Sequence, residues 1–285
     1  MKERRMYLTK ALTLHECFRK YYLAYHAMLQ PKAEPKPFII GRIFHEMARA
    51  YIEQDINAAT KLCIVSEVSE DEKDHLLLML GALVEKFTDG DDNLKVPLAI
   101  MGTEQTIGTP IGDWTWYIKT DLTFLEEGKP WKGEYKTTSG YGAATAAFYH
   151  NSPQTLIYQY LLLKHMPNLI GSKYFIVTKA KDPRCIVEPI FITKGKLRWA
   201  EYAIEATLAL AEEVEDKRRY ARQFSHCKTL QRECEYYPLC FYVKIDTYSG
   251  LANEPEGGIS EAYLEEVLKL YEVRDPEAHL GLGGE

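Results

Sequence analysis

Asp121, Glu134 and Lys136 are the residues of this chain whose types and spacing are best suited to chemistry. Two carboxylates and an ammonium gathered on one surface can grip a divalent cation and set a lysine beside a phosphodiester. Two strands must gather them. Trp114 to Phe124 is dense in aromatic and β-branched residues, Gly128-Lys-Pro130 interrupts the run, and Trp131 to Thr137 resumes it, which predicts a β-hairpin. With the turn centred between Glu127 and Gly128, residues whose numbers sum to 255 oppose each other. Asp121 then faces Glu134, and Lys136, two residues further on, shares that face. Opposed carboxylates repel unless a cation lies between them. The plainer alternative is an exposed strand pair in which Lys136 merely neutralises the acids.

A chain of 285 residues, 46% apolar, is long enough to bury a full core and has the composition of a soluble globule. No apolar run reaches membrane-spanning length, and the N-terminus lacks the apolar core of a signal peptide. The expected location is the cytoplasm, with no membrane partner. A net charge of −6 argues against a broad nucleic-acid-binding face, but leaves room for a local basic channel beside metal-neutralised acids. Lys217, Arg218, Arg219 and Arg222 cluster, either as phosphate contacts or as a solvated last helical turn that suits the helix dipole.

The apolar periodicity predicts an N-terminal helix through Leu12, Cys17, Tyr21, Tyr22 and Tyr25, ended by the proline-rich Pro31 to Pro37. A second helix is expected from near Gly41, with Phe44, Met47, Ala48, Tyr51 and Ile52 as its buried stripe and His45 at the edge. A third covers about Lys73 to Phe87, and a strand near Met101 to Ile107 precedes the hairpin. Glu104 on that strand is a candidate extension of the site by position alone. Ser152 and Pro153 read as the N-cap and first-turn proline of a helix to about His165, which sets Gln154 and Tyr158 on one face. Strands at Lys173 to Thr178 and Cys185 to Thr193, a helix at about Leu197 to Tyr220, a last helix at about Ser260 to Val273 and a frayed end from Glu277 complete the order. That order is of an α/β fold whose mixed central sheet is flanked by helices.

Three of the six cysteines, Cys227, Cys234 and Cys240, fall within fourteen residues, which in a cytoplasmic chain favours metal over disulfide. Cys17, in a similarly aromatic and basic segment, is the natural fourth ligand. Cys63 and Cys185 read as buried thiols. The spacing lacks the short Cys-x-x-Cys knuckle of structural zinc, so a [4Fe–4S] cluster is preferred, with zinc or unligated thiols as alternatives. Tyr236, Tyr237, Phe241 and Tyr242 beside these cysteines either stack on bases or pack the core.

From about Leu8 to Tyr242 the chain resembles the PD-(D/E)XK nuclease superfamily, in particular the RecB-like exonucleases that carry an iron–sulfur cluster, with CRISPR-associated and phage-encoded members similar in layout. The resemblance rests on the order Gly41-Arg-Ile-Phe-His45, Asp121, Glu134-Tyr-Lys136 followed by Thr137-Thr138, Gln154-Thr-Leu-Ile-Tyr158, and the one-plus-three cysteines. The gap between Cys227 and Cys234 is wider than in many relatives. The resemblance implies a restriction-endonuclease-like core over 41–195 within a single nuclease domain, 1–285. It also implies an iron–sulfur staple from 8–30 plus 220–245, and a C-terminal helix and tail over 250–285. It further implies that Asp121, Glu134, the Tyr135 carbonyl and His45 bind Mg²⁺ or Mn²⁺, that Lys136 acts on the attacking water, and that Gln154 and Tyr158 orient the DNA backbone or Lys136. The expected substrate is DNA, single-stranded or with free ends. The expected setting is recombination, repair, phage replication or CRISPR adaptation, with proteins of those processes as partners. Two rival readings are a catalytically inactive DNA-binding or scaffold subunit, and a zinc-stapled protein unrelated to nucleic acid.

Overall fold

The hairpin closes through a turn of two residues. Glu127 and Gly128 have φ of 51° and 73°, the pair of positive values that a two-residue type I′ loop needs and that glycine supplies without strain. β4 (Trp114–Glu126) and β5 (Lys129–Thr138) pair antiparallel from Glu126 opposite Lys129 to Leu122 opposite Gly133, which is the register expected from the sequence. Gly133 is required there, because a Cβ at this position would lie 2.9 Å from the Leu122 Cβ.

The structure, a computed structural model, describes residues 4–32, 36–88, 99–217, 220, 227, 234–242, 244–245, 252–254, 267 and 269–273. The chain forms two compact units. The first comprises Met1–Glu34, Pro110–Tyr117 and Ile204–Glu285, and the second Pro35–Thr109 and Ile118–Ala203.

In the second unit β3 (Ala99–Ile111) pairs with β4, β5 runs parallel to β6 (Gly171–Thr178), and β6 pairs antiparallel with β7 (Cys185–Phe191). The parallel step needs a crossover, supplied by α6 (Ala143–Asn151) and α7 (Pro153–His165). Ser152 caps α7, its hydroxyl accepting the Thr155 N–H at 3.1 Å. One sheet face carries Leu122, Phe124, Trp131, Tyr135, Phe175 and Val177 into a core completed by α3 (Lys36–Glu53), α4 (Ile56–Val65) and α5 (Glu70–Phe87), through Phe44, Met47, Met79, Leu83 and Phe87. Tyr174, Ile176 and Ile190 point the other way and pack with Tyr149 of α6. This is a mixed α/β fold with a mixed central sheet flanked by helices.

In the first unit β1 (Arg4–Tyr7) pairs in parallel with Trp114–Tyr117. The N-terminal helical segment is two helices, α1 (Leu8–Glu16) and α2 (Phe18–Tyr25), parted at Cys17, whose backbone is extended at φ −163° and ψ 120°. The apolar spacing runs on in phase through the break, so periodicity carries no sign of it. β2 (Leu29–Pro31) pairs with β10 (Tyr271–Val273), which makes a strand of the expected end of the last helix. Residues 260–266, 268 and the tail from 274 lie outside the described residues. The long helix is α8 (Lys194–Asp216), starting and ending a few residues earlier than its expected span. α9 (Tyr237–Tyr242) and the short pair β8 (Lys244–Ile245) and β9 (Ala252–Glu254) follow. α3 likewise starts before Gly41, at Lys36, because Pro37 falls in the first turn, where its missing N–H costs no hydrogen bond. α4 and α6 were not expected from the sequence.

Candidate active site

Strand alternation decides what β5 presents. Trp131 and Tyr135 enter the core under α3 and α5, so Lys132, Glu134 and Lys136 project from the opposite face, towards α7. Glu134 is only 2% exposed and is held on both oxygens. Its Oε1 accepts from Lys136 Nζ and from Gln154 Nε2, each at 2.7 Å, and its Oε2 accepts from Lys132 Nζ. An exposed strand pair would not bury an acid in this way. Burial alone would raise the Glu134 carboxyl, but the charges of Lys132 and Lys136 outweigh it and hold the group down at about 2. For Lys136, burial works against the charge, yet Glu134 and Asp121 raise its pKa above the usual lysine value.

Asp121 occupies the point where β4 and β5 part. Beyond Leu122 and Gly133, β5 continues to pair with β6 through Thr138. The Tyr135 N–H, left without a strand partner on the β4 side, donates to Asp121 Oδ2 at 2.8 Å. Burial and the nearby Glu134 charge push the Asp121 carboxyl up to about 7, against the pull of the Lys132 and Lys136 charges. His45 of α3 sits with Nδ1 3.5 Å from Asp121 Oδ2, and its ring meets that of Tyr135 edge-on at 5.9 Å. Burial, then the Lys136 charge, lowers its pKa and favours the neutral imidazole that can ligate a metal.

The structure thus brings together His45, Asp121, Glu134, Tyr135, Lys136 and Gln154. The ring of Tyr158 lies 5.0 Å from Lys132 Nζ. A pocket of about 720 Å³ opens on this group, lined by His45, Asp121, Lys136 and Thr137, with Arg42, Glu46 and Arg49 of α3, Glu104, Lys119 and Lys179 around them and Phe38 more than half exposed. Glu104, the positional guess, is therefore part of the wall. Its φ of 48° is unusual for a side-chain-bearing residue in a strand, and Lys119 holds its carboxylate at 2.6 Å.

Lys132 is the site residue the sequence reading missed. The signal was its position two residues before Glu134 on the same face, but a strand lysine reads as solvent-facing unless something covers it.

Cys17, Cys227, Cys234 and Cys240 all belong to the first unit, and all but Cys234 are buried. Cys234 donates its N–H to the Cys227 carbonyl at 2.9 Å, and burial chiefly, with Cys17 nearby, pushes its thiol up to about 11. Cys63 and Cys185 are buried thiols as expected. Among the described residues no three His, Cys, Asp or Glu side chains already converge as a metal-holding group. By donor chemistry the oxygens of Asp121 and Glu134 with the His45 imidazole suit Mg²⁺ or Mn²⁺, and four thiols suit iron–sulfur or zinc.

Tyr236 packs, being buried, stacked on Tyr271 and donating to the Leu29 carbonyl at 2.7 Å. The side chains of Phe241 and Tyr242 lie outside the described residues, as do Arg218, Arg219 and Arg222. Lys217 pairs with Glu213 on the surface. No helix among the described residues is long and apolar enough to cross a membrane.

A search among curated proteins finds no match. Among solved structures, a "Putative exonuclease" from Eubacterium rectale superposes with a TM-score of 0.52 at 11% identity, over 81% of this chain and 91% of its own. SSO0001 aligns at 14% identity over 70% of this chain and 86% of its own, but its TM-score of 0.27 carries no weight. The first likeness is one of fold. The sequence speaks for descent, because the family model of the PD-(D/E)XK nuclease superfamily matches residues 8–241, a span that holds the acid pair, its lysine, Cys17, Cys227, Cys234 and Cys240. The chain belongs to the PD-(D/E)XK nuclease superfamily.

Proposed function

We propose that the chain is a Mg²⁺- or Mn²⁺-dependent DNA exonuclease acting on single strands or free ends. The observation that carries this reading is the buried Glu134, shared between Lys136 and Gln154 and set beside Asp121 and His45 at a pocket. The pocket lining has five lysines and arginines (Arg42, Arg49, Lys119, Lys136, Lys179) against three acids (Glu46, Glu104, Asp121), in a chain whose net charge is −6. Basic lining concentrated at one cavity of an acidic protein suits a polyanion. Phe38 at that cavity offers a face on which an unpaired base can stack. The name of the Eubacterium rectale protein agrees with the exonuclease mode.

Asp121, Glu134, His45 and the Tyr135 carbonyl would hold the ion. When bound, it supplies a water of lowered pKa and stabilises charge on the phosphoryl oxygens. Gln154 fixes the orientation of Glu134. Lys136, drawn to Glu134 at 2.7 Å, orients the attacking water and offsets charge as the water oxygen bonds to phosphorus. The P–O bond to the departing sugar breaks, and that oxygen leaves protonated. Recombination, repair, phage replication or CRISPR adaptation would use such an activity.

The test is digestion of 5′- and 3′-labelled single and double strands with Mg²⁺ and with Mn²⁺. Metal-dependent release of nucleotides from one end of single strands is expected. Binding with no hydrolysis under either metal would instead identify a scaffold subunit.

The four thiols of the first unit support a [4Fe–4S] staple that ties α1 and α2 to the C-terminal segment as architecture, without redox turnover. Protein purified without oxygen is expected to be brown and to contain iron and acid-labile sulfide. A colourless, zinc-containing protein would sink this assignment.

A further inference from the structure

Lys132 is completely buried. Its ammonium is paired with Glu134 Oε2 and lies 5.0 Å from the ring of Tyr158 and 5.6 Å from that of Tyr174. Lysine is almost never fully buried, and a buried pair of this kind commonly stabilises a fold no better than apolar side chains of the same volume. Stability therefore does not account for a lysine at this inward position of β5, beside the rings of Tyr158 and Tyr174.

The geometry points to another role, which rests on the metal-nuclease reading above. We propose that Lys132 is a positioning residue, a built-in cation that locks Oε2 of Glu134 inside the protein so that only Oε1, beside Lys136 and Gln154, is left to a ligand and the site takes one divalent ion. A second ion at Oε2 would have to approach the Lys132 ammonium in a poorly solvated setting, where like charges repel strongly. The aromatic faces of Tyr158 and Tyr174 favour a cation where Lys132 lies, and Gln154 and Lys136 bracket the remaining oxygen. Tyr158 thereby serves the site through Lys132, one turn along α7 from Gln154. The orientation of Glu134 is thus fixed before any ion arrives, at the expense of competing positive charge.

This predicts opposite effects on metal binding and on turnover. The full-length protein should bind one Mn²⁺ at the site, counted by electron paramagnetic resonance of free Mn²⁺ during titration. Lys132→Gln, which keeps a donor for Oε2 without the charge, should bind Mn²⁺ about tenfold more tightly while kcat falls at least about tenfold. Lys132→Met should behave likewise where circular dichroism shows it folded. A merely structural lysine would move both quantities in the same direction or neither. Two Mn²⁺ at the wild-type site, or unchanged or weaker binding by folded Lys132→Gln, would overturn the role of Lys132 alone. Asp121→Asn separates the two levels, because wild-type Mn²⁺ affinity in that variant would overturn the metal-site reading itself.

Discussion

Lys136→Ala is expected to lower the rate of DNA cleavage by about a thousandfold while leaving the protein folded, the loss typical of removing a group that stabilises transition-state charge. Retention of the fold follows from how Glu134 is held. Without Lys136, Oε2 keeps Lys132 and Oε1 keeps Gln154, so no buried carboxylate is stranded, and the stability change should stay within about 2 kcal/mol. Lys136 is also partly solvent-exposed, with a quarter of its side chain accessible, so alanine leaves no sealed cavity behind. Metal binding should persist. The informative measurement is single-turnover cleavage of an end-labelled strand at saturating Mg²⁺, with thermal denaturation alongside. Undiminished cleavage by this variant would remove Lys136 from the mechanism.

Glu134→Leu should have the opposite profile, losing stability heavily as well as activity. The substitution leaves the fully buried Lys132 ammonium without its anion. Breaking a buried pair from one side costs about 3–5 kcal/mol, which for a unit of this size lowers the melting temperature by on the order of 10 °C. Replacing both partners, Glu134→Leu with Lys132→Met, should restore most of that loss, since the strand then carries two apolar side chains against α7. Melting curves of the two single variants and the double variant form the cycle. Equal melting of Glu134→Leu and wild type would show that Lys132 finds another anion.

What could be read from the sequence divides along chemical distance. The hairpin register was legible because a two-residue turn at Glu127 and Gly128 and a period of two fix it locally. α7 was legible from Ser152 and Pro153. The capping signal of α4 was also present, since Asp55 accepts the Ala58 N–H at 2.8 Å, but the helix is short and exposes Ile64 and Val65, which blurs its stripe. α6, alanine-rich with Tyr149 as its buried residue, has no stripe to read. The triad of Asp121, Glu134 and Lys136 could be assembled on paper from one hairpin. Lys132 could not, because its burial is conferred by Tyr158 and Tyr174, which come from other elements. Tyr158 itself was identified by its place in a helix, and its partner emerged only with the packing of α7.

The two-residue turn also governs how the site is assembled. Bringing Asp121 to the Tyr135 N–H requires only that the hairpin close, and the entropy lost in closing so short a loop is small. His45 must be carried in from α3 across the intervening α4, α5 and β3, so its closure is entropically far more demanding. The acid pair is thus encoded as a local unit of the chain, whereas the imidazole joins only through the tertiary fold. A folding intermediate that holds the hairpin but not α3 would already carry its two carboxylates, with no imidazole to complete a ligand set.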